Sequence, residues 1–118
     1  MNEHQEQVAI VKWFRSVYGE DYYNVFFSIP NGGNRDRVTG FILKNEGMLA
    51  GVPDLFLAVA RGGYHGMFIE MKTPAGKVRT SQTVVQEDLS GQGYKVVICK
   101  SYFEAKTTIE EYMGLGKG

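Results

Sequence analysis

Gly51-Val52-Pro53-Asp54-Leu55-Phe56-Leu57-Ala58-Val59-Ala60 and Gly66-Met67-Phe68-Ile69-Glu70-Met71-Lys72 decide how this chain is read. The first stretch sets an acid at the head of an apolar run. The second ends an apolar run on an acid and a base. Joined through Arg61-Gly62-Gly63-Tyr64-His65, they read as two strands and a Gly-rich hairpin connection. Strand side chains alternate between faces, so Glu70 and Lys72 project to one side while Met71 packs on the other. With the strands side by side, Asp54, Glu70 and Lys72 converge at one edge of the sheet. Two carboxylates ~4 Å apart repel by about 4 kcal/mol at an effective dielectric of 20, against roughly 5–15 kcal/mol of net stability for a small domain. A proton, a neighbouring cation or a bound metal has to offset that repulsion. Lys72 supplies part of the offset, and Mg²⁺, with Mn²⁺ as a substitute, suits the remainder. Oxygen ligands without His or Cys argue against zinc.

Outward from this pair, the spacing predicts a helix over about Asn2 to Tyr18, with Ala9, Ile10, Trp13, Phe14 and Val17 as its buried stripe. Glu6 extends the stripe back by one turn. A strand follows over Asn24 to Ile29 and stops at Pro30. Asn31-Gly32-Gly33-Asn34 forms a turn or loop, and a second helix covers Val38 to Met48. Beyond Lys72, Thr73-Pro74-Ala75-Gly76 breaks the pattern. Thr80 or Ser81 then caps a helix that reaches about Gln92 and stops at Gly93. A strand over Lys95 to Cys99 and a helix over Tyr102 to Met113 complete the order α-β-α-β-β-α-β-α. That order predicts an α/β fold, a mixed central sheet of about four strands flanked by helices on both faces. Residues 1–113 are expected to form one domain and 114–118 a flexible tail.

The chemistry follows from residue types. Asp54 and Glu70 are the expected metal ligands, with the backbone carbonyl of Met71 as a third. Few protein ligands are needed, because Mg²⁺ keeps several waters. Lys72 would position or deprotonate an attacking water, or neutralise charge on phosphoryl oxygens. Asn31, Gly32, Gly33, Arg35 and Arg37 read either as a phosphate-contact loop or as a plain turn. Lys77 and Arg79 are candidate backbone contacts of the same kind.

The wider wording resembles a known family. Pro53-Asp54 followed by Glu70-x-Lys72 is similar to the PD-(D/E)xK nuclease signature. Ile29-Pro30-Asn31-Gly32-Gly33, Gly51-Val52-Pro53-Asp54-Leu55, Phe68-Ile69-Glu70-Met71-Lys72-Thr73-Pro74, Gln82 and Gly93-Tyr94 together resemble the virus-type replication-repair nuclease (VRR-NUC) family in its standalone form. The resemblance runs from about Glu6 to about Val97. It implies a restriction-endonuclease-like core and a catalytic set of Asp54, Glu70, Lys72 and Gln82. It also implies that Glu6, on the first helix, reaches the metal directly or through water, and that Gln82 bonds a metal water or a phosphate. The implied activity is metal-dependent hydrolysis of DNA phosphodiester bonds at branched sites such as four-way (Holliday) junctions, by a homodimer. A nicking, flap or restriction-type nuclease on the same core, or a non-cleaving DNA-binding subunit, stays open as an alternative.

Composition frames these expectations. The 118-residue chain is 43% hydrophobic and 22% charged, with a formal net charge of zero. Charge is unevenly placed, however: from Met71 to Gln86 there is no acid, against Lys72, Lys77 and Arg79. A polyanion could dock on such a stretch while the acidic remainder keeps the chain soluble. No apolar run approaches the ~20 residues of a membrane span. The first residues lack the basic and apolar regions of a signal peptide, and the one cysteine, Cys99, sits in an apolar strand. The chain therefore reads as cytoplasmic, with DNA as partner and no nucleotide cofactor.

Overall fold

The computed structural model describes residues 1–30, 37–74 and 76–117. Its elements are α1 (Glu3–Tyr22), β1 (Phe26–Ser28), α2 (Arg37–Asn45), β2 (Leu55–Leu57), β3 (Met67–Met71), α3 (Thr80–Gly91), β4 (Lys95–Cys99) and α4 (Tyr102–Met113). The predicted element order holds. One sheet runs β1-β2-β3-β4, antiparallel up to β3, with β4 parallel to β3. The parallel pair is joined through α3, as a same-sheet crossover requires.

Alternation along β2 and β3 divides the sheet into two faces. Leu55, Leu57, Met67, Ile69 and Met71 face one way and are at most 2% exposed. Against them pack Ile10 and Phe14 of α1 and Ala105, Ile109 and Tyr112 of α4, which close the core. Cys99 is buried in it, as a small hydrophobe should be. Phe56 and Phe68 face the other way, paired across the ladder and stacked with ring centroids 4.3 Å apart. Tyr94 meets the edges of both rings. α3 lies on this second side, against β4.

Several boundaries differ from the sequence expectation. α1 continues a full turn past Gly19 to Tyr22, although a helical glycine costs about 1 kcal/mol. Aromatic contacts offset this: Tyr18 packs on Trp13, Phe14 and Tyr22, and the Tyr22 hydroxyl accepts from buried Arg61. Val17, expected in the stripe, is 57% exposed, and Tyr18 and Tyr22 make the packing contacts instead. β1 and β2 are three residues each, because a turn over Tyr23–Val25 delays the first and the chain leaves the ladder after Leu57. α2 stops at Asn45, short of Met48. α3 has Arg79, not Thr80 or Ser81, at its N-cap. Near the C-terminal end, Gly62 N–H donates to the Gly116 carbonyl at 2.7 Å. Among the described residues no helix is long and apolar enough to cross a membrane.

Candidate active site

The strand register builds the site. Leu55 pairs with Ile69 and Phe56 with Phe68, so one step further the ladder sets Asp54 across from Glu70. Both acids share the face of the stacked phenylalanines. Two hydrogen bonds cross between the strands: Asp54 N–H donates to Glu70 Oε1 at 3.2 Å, and Met71 N–H donates to Asp54 Oδ2 at 2.8 Å. Lys72, two residues beyond Glu70 on the same face, brings its Nζ to 3.9 Å from Glu70 Oε2. Gln82, on the first turn of α3, donates from Nε2 to the same Oε2. Its Oε1 accepts from Arg79 N–H at 2.9 Å, which fixes the amide's orientation. Asp54, Glu70, Lys72 and Gln82, the expected catalytic set, therefore lie together in the structure.

Burial dominates the electrostatics. Glu70 is 4% exposed. Loss of water, and then the charge of Asp54 beside it, push its carboxyl up to about 8. Burial raises Asp54 as well; the Met71 N–H and the contact with Glu70 pull it back, and the charge of Glu3 pushes it up again. Without a cation, the pair holds a proton that the unfolded chain would have released. A group with a raised folded-state pKa binds more protons when folded, so stability is greatest at the acid side and declines as pH rises toward 8. Thermal melts in chelator between pH 5 and 8 should show Tm falling, by on the order of 10 °C, and Glu70→Gln should flatten that fall. A Tm insensitive to pH in the parent chain would contradict the shared proton.

Glu6 is not brought to the pair. Its Oε2 accepts from the backbone N–H of Tyr102, so it satisfies the first turn of α4. Glu3 is the acid of α1 that turns toward the site: its Oε2 lies 3.5 Å from Thr73 Oγ1 and its charge acts on Asp54. The helical repeat carried the signal for this. Glu3 lies seven residues before Ile10, on the midline of the Ile10–Phe14 stripe, whereas Glu6 lies to one side of it. Among the described residues no group of three His, Cys, Asp or Glu gathers as a ready metal cage; the close acids are two.

A cleft of about 350 Å³ opens over the pair. Lys44, at the end of α2, and Met48 line it together with Arg79 and Ser81 at the start of α3. Gly51 lets the loop before β2 come close to the start of α3. It has φ +95, and a Cβ there would sit 2.5 Å from the Ser81 carbonyl oxygen. Lys77 is exposed and does not line the cleft. Asn31, Gly32, Gly33 and Arg35 lie outside the described residues, as does the side chain of Arg37. Lys44 was not among the expected site residues, since nothing local in the sequence ties α2 to the cleft.

Comparison with known proteins bears on the fold and the family. No curated protein matches the sequence. A solved structure described as a VRR_NUC domain protein superposes with a TM-score of 0.85 at 27% identity, covering 99% of this chain and 92% of that one. The family model of the VRR-NUC domain matches residues 1–103. With a model match over most of its length, the chain belongs to the VRR-NUC family of nuclease domains.

Proposed function

We propose that this nuclease domain is a divalent-metal-dependent endonuclease that hydrolyses DNA phosphodiester bonds, selective for branched DNA such as four-way junctions. The observation that carries the reading is the buried Asp54–Glu70 pair with Lys72 beside it. Two carboxylates pressed together under an aromatic floor favour whatever neutralises them, and the donors are all oxygen. Mg²⁺ or Mn²⁺ fits that donor set, held by Asp54 and Glu70 with the Met71 carbonyl available on the same strand. The bound cation would act as a Lewis acid and activate water.

The chain's own residues do the rest. Asp54 is held by Met71 N–H and Glu70 by Asp54 N–H, so neither carboxylate rotates freely. Gln82 fixes the outer oxygen of Glu70 and ties it to α3. Lys72 sets a positive charge at the pair, where it stabilises charge growing on the phosphoryl oxygens. Arg79 at the mouth of the cleft is a contact for the DNA backbone.

A homodimer follows from size and surface. One 13.2 kDa chain offers little area for a junction, and a two-fold dimer would present matching sites to two strands. Val38, Phe41 and Ile42 on α2 are 69%, 65% and 48% exposed, an apolar strip suited to a second copy. Light scattering should return twice the chain mass. The testing experiment is a panel of labelled linear duplex, flap and four-way DNA, each with Mg²⁺ and with chelator. Cleavage should need the metal and be fastest on the four-way junction. Equal rates on linear duplex would remove the junction preference, and cleavage in chelator would remove the metal.

A further inference from the structure

Lys44 is the one cation of the cleft that the proposed mechanism leaves without a task. It stands on the last turn of α2, exposed, and lines the cleft together with Arg79, Asp54 and Glu70. Among the described residues the ion pair at this site joins Lys72 to Glu70, and Lys44 makes none. A favourable interaction with the α2 macrodipole would account for any basic residue in that turn. It does not account for one that lines the same cleft as the carboxylates.

We infer that Lys44 binds a backbone phosphate flanking the scissile one, so that the strand crosses the carboxylate pair from α2 to α3 and is held on both sides of the bond that breaks. This rests on the nuclease reading for its meaning and sharpens it. A strand gripped on both sides is cut internally, because an end bound at the pair would leave Lys44 or Arg79 without a phosphate. The two cations come from different elements, so the strand's path is set by how α2 and the start of α3 are placed about the cleft. Lys44 is thus a binding residue for substrate, with no part in activating water.

The test uses the full chain and a duplex in chelator, so that binding is read without cutting. Affinity is measured against salt for the parent, Lys44→Ala and Lys44→Arg. Lys44→Ala should lower the slope of log affinity on log salt by about 0.9, the signature of one lost phosphate contact, while Lys44→Arg keeps it. Affinity should drop roughly five- to tenfold near 0.1 M salt, with an unchanged thermal melt. Single neutral methylphosphonates are then placed at each phosphate in turn. One position should weaken the parent but not Lys44→Ala, since the two changes remove the same contact. An unchanged salt slope, identical methylphosphonate penalties in both proteins, or no DNA binding by the parent would each overturn the assignment. Binding that behaves as stated, in a chain that never cleaves with Mg²⁺, would uphold Lys44 and defeat the nuclease reading alone.

Discussion

Asp54→Asn should eliminate cleavage, by on the order of a thousandfold or more, and yet make the metal-free protein more stable. The amide oxygen of Asn can still accept from Met71 N–H, a 2.8 Å bond in the parent, so the β2–β3 register survives. What disappears is a charge, and that charge is the second largest cause, after burial, of the raised Glu70 carboxyl. Removing one of two repelling carboxylates should bring about 1 kcal/mol or more of stability near neutral pH, a Tm gain of several degrees. DNA affinity should hold or rise, since a negative charge has left the cleft. Loss of activity with raised Tm and intact binding is a combination that simple misfolding cannot produce. A variant that loses Tm and binding together would show Asp54 to be a structural residue.

Gly51→Ala should be the most damaging change outside the catalytic set. At φ +95 a side chain is strained by about 1–2 kcal/mol before any contact is considered. Its Cβ would lie 2.5 Å from the Ser81 carbonyl oxygen and 2.7 Å from the Ser81 carbonyl carbon, and backbone atoms cannot swing aside. α3 or the loop must shift, at a further ~1–3 kcal/mol. Gln82, next to Ser81, then loses its alignment with Glu70. Tm should fall by about 10 °C or more, and cleavage measured below both melting points should drop at least tenfold. Gly47→Ala is the control: φ is +107, but no atom lies within 4 Å of the added Cβ. It should lose only the torsional part and keep its activity. Equal damage from the two would mean that close approach to α3 does not matter.

Legibility in the sequence divides along the range of the interactions. β4 and α4 were readable to the residue, because their limits are local: Ser101 accepts from Glu104 N–H at one end of α4, and Gly114 closes the other. Asp54 and Glu70 were readable because alternation fixes which face each takes, and the apolar runs fix the register. The length of α1 was not, since Gly19 is a sound local stop overruled by Tyr18, Tyr22 and Arg61 packing from elsewhere. Glu6 only borders the inward stripe of α1, which the repeat could show, but the partner it takes, the N–H of Tyr102 96 residues away, is set by the fold alone. Lys44 belongs to the same class: only the folded chain carries α2 to the cleft.

The central claim is that Asp54 and Glu70 jointly hold one hard cation, and calorimetric titration of Mn²⁺ into the DNA-free protein reads it most directly. Run near pH 7 in buffers of different ionisation enthalpy, the titration should show saturable binding with release of about one proton, the one that Glu70, raised to about 8, keeps until the cation arrives. Asp54→Asn should abolish that binding. Heat of binding that persists unchanged in the variant, or no saturation in the millimolar range by the parent, would contradict it.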